Sequence, residues 1–489
     1  MAESRAGTDF LQLQRGDAPP GALTTWLVDS VRAAVADGRL TAGSPMPATR
    51  TLAADLAISR GVVVEAYRRL ADEGLITART GAGTIVTAPI AAQRPRPASA
   101  IAPSPAEANA RRIRTTRPAP PLLPREPAEV DLDLSPGVPD LAAFPRAAWL
   151  RAERAVLRQA SGSDLGYGDP RGSRRLRVEL ASWLARNRGI RADPDDVIVV
   201  AGVAQSLALL AQTLHAQGIA RIAVEDPGSR GARVELSHWG LESVPVAVDE
   251  HGLDVDELTA TGVQVALLTP AHQFPTGVVL APQRRHALLD WAVAGGLIIE
   301  DDYDAEHRYD RAPVPALQAS APDYVAHTGS TSKTLAPGMR LGWLVPPRRL
   351  QAILVAAKHA SDLGSPALAQ LVLAHLLANG EYDRHIRMVR GRQRARRDAV
   401  LAAVREHLPQ AHVGGIAAGL HVLLTLPDGT ATDDAELADQ VRQVGVLVHP
   451  LSWHRQRPGS PGLVLGYAAH PPDRLREAVR RIARAIGSS

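Results

Sequence analysis

The chain has 489 residues, 45% hydrophobic and 22% charged, a length for three domains, or for two if one is a large α/β unit, with a sizeable core in either case. It contains no cysteine, which excludes disulfides, zinc–cysteine clusters and thiol catalysis and fits a reducing cytoplasm; no apolar run approaches the roughly 18 residues of a membrane span, and no charged-then-apolar leader opens the chain. The formal charge of +4 does not by itself mark a nucleic-acid binder: residues 1–88 carry nine basic and nine acidic side chains, while residues 89–130 carry seven arginines against three glutamates, so the excess lies in one stretch.

The first elements are helical. Residues 23–37 put Leu23, Leu27, Val31 and Val35 on one stripe, with Gly38 as a stop. A turn with Gly43, Pro45 and Pro47 follows, and Thr49 is placed to cap a short second helix over 50–57 with Leu52 and Leu56 inward. Ser59 caps a third helix, Arg60 to Asp72, whose buried face is Val63, Ala66, Tyr67 and Leu70. Two short helices across a tight turn predict a helix-turn-helix. Residues 74–86 then read as two extended runs about a Gly-rich turn, a β-ribbon wing.

Gly38-Arg-Leu, Pro47-Ala-Thr-Arg50, Leu52-Ala, Leu56, Ser59-Arg60, Val63, Ala66-Tyr67, Leu70, Glu73-Gly74, Gly81 and Gly83 stand in the order in which the chain resembles the GntR family of winged helix-turn-helix regulators. That resemblance implies a DNA-binding domain over 10–88 and double-stranded DNA as partner. Ser59 and Arg60, at the start of the recognition helix, would meet phosphates or base edges, Arg50 the backbone, and Gly81 and Gly83 of the wing the minor groove. The bland alternative is a small helical bundle whose arginines are merely solvated. Residues 89–130 turn to Pro, Ala and Arg, as in Arg94-Pro-Arg-Pro; prolines at that density sustain neither helix nor central strand, so this is a semi-extended linker.

From 131 to 489 apolar strand-like runs (Val197–Ala201, Arg221–Glu225, Gln264–Thr269, Gly296–Asp301) alternate with amphipathic helices, which argues for α/β with a mainly parallel sheet and a smaller C-terminal subdomain from about 350. Ligands then gather where strands end. Ala201-Gly202-Val203-Ala204-Gln205 leaves a strand and opens a helix, so its amides can take a phosphate. In Glu300-Asp301-Asp302-Tyr303-Asp304, Asp301 and Tyr303 share one strand face and Asp302 the other. Glu300, Asp301, Asp302, Asp304 and Glu306 could instead ligate a metal, although no second ligand cluster accompanies them. His272, or Gln273 beside it, lies in a turn after a strand, and Tyr167 is a scarce aromatic in a Gly-rich loop; each reads equally as a structural residue.

Gly329–Gly342 holds Lys333, one of two lysines in a chain that otherwise uses arginine. A primary amine forms a Schiff base; a permanently protonated guanidinium does not. With Ser330, Ser332 and Arg340 beside it as phosphate ligands, a phosphorylated aldehyde satisfies both features, and pyridoxal phosphate (PLP) on Lys333 is the leading expectation. A surface lysine in a Ser/Thr loop is the alternative.

Taken with these motifs, residues 131–489 resemble the fold-type I PLP-dependent aminotransferases, and the order of head, proline-rich tether and body resembles the MocR/GabR type of bacterial regulator. The resemblance implies an internal aldimine at Lys333, Asp301 against the pyridine nitrogen, and Tyr303 against O3′. It also implies Ser330, Ser332 and Arg340 with the Val203 and Ala204 amides on the phosphate, and Tyr167 reaching the phosphate of a neighbouring subunit; His272 or Gln273, from their place in the turn after a strand, could reach the ring. A homodimer follows, head-to-tail, with DNA-binding domains swapped across it. Two positions depart from the pattern. Ser229 follows Glu225-Asp-Pro-Gly where a ring-stacking Tyr is common, and Val464 stands where aminotransferases carry the arginine for the substrate carboxylate. The resulting expectation is a cytoplasmic transcriptional regulator that senses PLP or an amino compound; with Val464 in place of the arginine, PLP itself is the favoured signal, as in regulators of vitamin B6 synthesis. The rivals are an active aminotransferase with an accessory head and a cofactor-free dimerisation platform.

Overall fold

The computed structural model describes residues 13, 18–19, 21–36, 39–79, 83–87, 130–310, 314–415, 417–426 and 433–487. The chain divides into two units, Met1–Glu126 and Pro127–Ser489.

In the first unit, helix Leu23–Ala36 buries Leu27, Val31 and Val35 on the expected stripe, joined by Val28 and Ala34, while Leu23 at its end is only partly covered. The second helix, Thr49–Asp55, starts one residue before the expected place. Thr49 is its first residue and not its cap; Ala48 precedes it and makes no side-chain capping bond. The third helix runs Arg60–Asp72 as expected, and the Ser59 hydroxyl accepts from the Val62 amide at 3.4 Å. Leu52, Leu56, Val63, Ala66, Tyr67 and Leu70 meet in one apolar core, and the Tyr67 hydroxyl donates to the Pro47 carbonyl (2.7 Å), which ties the turn to the helix. Ile76–Arg79 and Gly83–Val86 form the antiparallel wing, with Ile76 opposite Val86. Gly38, Gly81 and linker residues 89–129 lie outside the described residues.

The second unit is built on an eight-stranded sheet in the order Ile198–Val200, Gly342–Val345, Val325–Ser330, Leu297–Asp302, Val265–Leu268, Arg221–Asp226, Glu242–Asp249, Gly252–Leu253. Its central strands are parallel; Gly342–Val345 runs against both neighbours, and the short last strand is antiparallel to its own. Alternate residues feed opposite layers, as the pleat requires. Val199, Trp343 and Val345 pack on one side with Trp183 and Leu371, whereas Ile198, Val200 and Leu344 pack on the other with Leu210 and Leu354. Covered on both faces, these strands are continuously apolar and not alternating, which is why they read so clearly as runs.

A second, antiparallel sheet joins His412–Gly414, His421–Thr425, Gly462–Gly466 and His449–Pro450. Its core takes Val400, Val404, Leu437 and Ile482 from helices of the C-terminal part, and Leu132 and Leu134 from the start of the unit, where Leu132–Asp133 pairs with Val446–Leu447. Helices Arg348–Asp362 and Ala367–Ala378 pack on the large sheet. The 27-residue helix Glu381–His407 serves both cores, with Tyr382 and Ile386 in one and Val400 and Ala403 in the other.

Candidate functional site

Strand register assembles one corner. Ser330 pairs with Gly342, and Gly342 with Val200, whose strand ends at the Ala201–Gly202 turn. The approach is close: a Cβ on Gly342 would lie 3.0 Å from Gly202 Cα, and one on Gly202, at φ +84°, would lie 3.2 Å from the Arg340 guanidinium. Arg340 donates to the Ala201 carbonyl, and the Ser332 amide donates to the Ser330 hydroxyl at 3.3 Å. Val203 and Ala204 are the first residues of helix Val203–Ala216, and among the described residues their amides have no backbone acceptor outside the helix. Hydroxyls, a guanidinium and open helix-start amides therefore converge where an anion is favoured.

A second group stands one strand further on. Asp301 pairs in register with Thr328. Its neighbour Asp302 faces the other way and meets buried Arg188 at 2.5 Å. Among the described residues the buried Asp301 Oδ1 has no hydrogen-bond partner; burial, reinforced by the charges of Asp302 and Asp304, pushes this carboxyl up to about 7, against the pull of Lys333. The Lys333 amine donates to the Gly137 carbonyl at 2.5 Å. Burial lowers its pKa, opposed by Asp304 and Asp301, and a lowered pKa raises the share of nucleophilic free amine. Gly137 has φ +87°, and a Cβ there would come within 3.0 Å of that amine.

The Tyr303 hydroxyl lies 3.0 Å from His272 Nδ1, and Asp304 lies 2.9 Å from the same nitrogen. Burial, then the charge of Asp304, holds the phenol protonated well above its usual range. His272 is thus occupied in holding Tyr303, and Gln273 is spent on the Pro227 and Phe274 carbonyls. Tyr167 stands apart: it is 94% exposed, on the wall of a cavity of about 650 Å³ between residues 163–174 and 362–371. The acidic ladder does not converge on a metal. Glu300 accepts from the Leu317 and Gln318 amides and pairs with His327, Asp302 with Arg188, and Asp304 with His272; among the described residues no group of three potential ligands could hold an ion.

In the N-terminal unit Arg50, Ser59 and Arg60 are exposed, and neither arginine has an ion pair among the described residues. Arg32, Arg68 and Arg69 are instead tied to Glu73, Glu65 and Asp72. Gly83 opens the second wing strand at φ +78°.

The family of aminotransferases class I and II matches residues 130–482, and the bacterial regulatory proteins of the gntR family match residues 23–86. The chain is 34% identical to the HTH-type pyridoxine biosynthesis transcriptional regulator PdxR of Corynebacterium glutamicum, over 96% of each chain. It is 30% identical to the probable rhizopine catabolism regulatory protein MocR of Rhizobium meliloti, over 94% of this chain and 93% of that one. The chain belongs to the MocR/GabR type of transcriptional regulators. Among solved structures, the multiple substrate aminotransferase of Thermococcus profundus superposes with a TM-score of 0.68 at 28% identity, covering 74% of this chain and 92% of that chain. The gntR-type unit makes this a DNA-binding protein.

Within that family the two departures have structural counterparts. Ser229 caps helix Arg230–His238 by accepting from the Ala232 amide at 3.2 Å, so its short side chain is used on its own helix. Val464 is fully buried with Leu423 and Leu451, in register with His449 and Leu423. Sequence reasoning missed Glu225 as a site residue. Its carboxyl accepts from the Thr269 amide and hydroxyl (3.0 and 2.7 Å) and is pushed by burial to about 7, and it walls the same small cavity as Asp301 and Ser229. It stood in view in the Glu-Asp-Pro-Gly motif, with nothing local to show that Thr269 would close on it. The role of the Gly137 carbonyl had no sequence signal, because it depends on a contact across 196 positions. Among the described residues no helix is long and apolar enough to cross a membrane.

Proposed function

We propose that this regulator binds PLP at Lys333 and answers to PLP itself. The observation that carries the reading is the pairing of an intact cofactor corner with a blind substrate end: Lys333 and Asp301 face each other electrostatically, while Val464 is sealed in an apolar cluster where a carboxylate would need a guanidinium. The residues present fit the cofactor. Asp301 Oδ1 is buried and, among the described residues, without a partner, which is costly unless a donor arrives, and Gly202 leaves room that a Cβ would take from Arg340.

When bound, PLP supplies an aldehyde for the lysine amine and a protonated ring nitrogen for a carboxylate. Lys333 offers its amine from the end of the Ser330–Lys333 turn, steadied by the Gly137 carbonyl. Asp301 accepts the ring N–H, and Tyr303, held by His272, donates to O3′. Ser330, Ser332 and Arg340 with the Val203 and Ala204 amides take the phosphate, and Tyr167 of a second copy would complete that contact. The protein works as a cytoplasmic homodimer, head-to-tail, with residues 10–88 on double-stranded DNA, 89–130 as tether and 131–489 as sensor, its smaller subdomain from about 350. Arg50, Ser59, Arg60 and the Gly81–Gly83 wing make the DNA contacts. Loading at Lys333 shifts the protein between arrangements of unequal DNA affinity, as any effector must.

The test is fluorescence anisotropy on DNA selected by the protein from a random library, with PLP and with a panel of amino acids added separately. PLP alone should change the affinity, and Lys333→Ala should abolish the change. An effect of an amino acid with none of PLP would overturn the reading. Residual transamination is the second reading, favoured by the full Lys333, Asp301 and Tyr303 set; turnover of amino donors would establish it.

A further inference from the structure

The second lysine of the chain, Lys358, has no part in the site described so far. It is fully buried on helix Arg348–Asp362. Its ammonium is surrounded by three acceptors: Asp362 Oδ2 at 2.7 Å, Ser365 Oγ at 3.1 Å and Gln205 Oε1 at 3.4 Å. Three acceptors about one point suit a compact ammonium and not a planar guanidinium, which accounts for a lysine here in a chain of arginines.

Gln205 is the link to the phosphate corner. Its Oε1 accepts from the Ala201 amide (2.8 Å) as well as from Lys358, and its Nε2 donates to Asp362 (2.8 Å). With both ends of the amide engaged, the side chain has one orientation, and it clamps the first peptide of the Ala201–Ala204 turn. The Gln205 backbone N–H donates to the Gly202 carbonyl at 3.1 Å. The Ala201 carbonyl on the other side of the turn receives Arg340. The turn is therefore held from behind by Gln205 and in front by Arg340, leaving the Val203 and Ala204 amides open.

We propose that Lys358 is a positioning residue for the phosphate turn: through Gln205 it fixes the backbone that presents the Val203 and Ala204 amides, and so sets phosphate affinity without touching the ligand. This rests on the reading of the corner as a PLP site. Around the buried ammonium the partly buried Gln205, Asp362 and Ser365 satisfy one another, and loss of one member of such a network loosens the rest.

The discriminating pair of ligands is PLP and pyridoxal, which carries the same ring and aldehyde and no phosphate. Full-length wild type, Lys358→Met and the charge-neutral double variant Lys358→Met/Asp362→Asn are titrated with each and followed by visible absorbance. The expected result is a PLP dissociation constant raised about tenfold or more in both variants, the scale of one lost hydrogen bond to a charged group, with the pyridoxal constant within about twofold of wild type. Equal weakening of both ligands, or no change in either, overturns the proposal and leaves the cofactor reading in place. Wild-type protein that binds neither ligand overturns the cofactor reading and this proposal with it. The double variant removes both charges of the Lys358–Asp362 pair and so leaves the half-buried Asp362 position neutral, and it reports on the turn even if the single variant misfolds.

Discussion

At the scale of single residues, buried groups in the site and outside it are held away from their ordinary ionisation, and the shifts run in opposite directions. In the turn Leu451–His454, burial, then the like charges of His449 and Arg233, lowers His454 from 6.5 to about 3, and among the described residues neither ring nitrogen has a partner. A depressed histidine contributes stability above its unfolded pKa that is lost as pH falls from about 6.5 toward 3. Asp301, raised from 3.8 to about 7, does the reverse: the native state keeps a proton that the unfolded chain has released, so stability falls as pH rises through that window. His454→Leu should therefore gain stability relative to wild type by up to about 1.4 kcal/mol per pH unit as pH drops below 6.5. Asp301→Asn should gain by a similar slope as pH rises from 4 to 7. Urea denaturation of PLP-free protein across pH 4.5–7.5 checks both, and slopes of the same sign would contradict the assignment. The identity of Lys333 and Asp301 as candidates was legible from residue type and strand parity. The His272 clamp on Tyr303 was not, because a histidine in a loop carries no mark of the tyrosine 31 positions on that it will meet.

At the scale of elements, local signals were read well and partner choice poorly. Helix Arg60–Asp72 was legible to the residue because a serine cap, a 3.6-residue apolar repeat and a following glycine agree. The continuous runs over 198–200 and 265–268, and the apolar start 297–299 of the strand that ends in the acidic residues, marked buried strands. Nothing local shows that Gly342–Val345 inserts antiparallel between two strands of a parallel sheet, or that Leu132–Asp133 joins the far end of the chain; both depend on contacts across more than a hundred positions or on how a tight turn closes. The glycines carried the hidden information: Gly202 and Gly342 are small because backbones cross there. The cap is the element-scale test. Ser59→Ala removes the side-chain acceptor for the Val62 amide and should cost about 1 kcal/mol, read as a lower melting point of the N-terminal transition. DNA affinity should fall with it if the first turn of that helix meets DNA, as proposed. Unchanged melting would mean that the Ser59 carbonyl, which accepts from the same amide at 3.1 Å, serves it well enough alone.

At the scale of the whole molecule, overall charge says little and the pairing of individual arginines says much. The chain carries +4, yet in the N-terminal unit Arg68 and Arg69 are bound to Glu65 and Asp72, and Arg50 and Arg60 are exposed without an ion pair among the described residues. An arginine already neutralised by a carboxylate has little counterion-release advantage left to give a phosphate, whereas a free one at the start of a recognition helix has all of it. Each phosphate contact adds about 0.9 to the slope of log affinity against log salt concentration. Arg60→Ala and Arg50→Ala should each lower that slope by about 0.9, or about 1.8 if two copies bind together. Arg68→Ala should leave the slope unchanged and lower stability slightly, through the helix pairs it breaks. Anisotropy titrations between 50 and 200 mM salt separate the cases, and a slope that responds to Arg68 but not to Arg60 would move the DNA-facing surface to the opposite side of the helix.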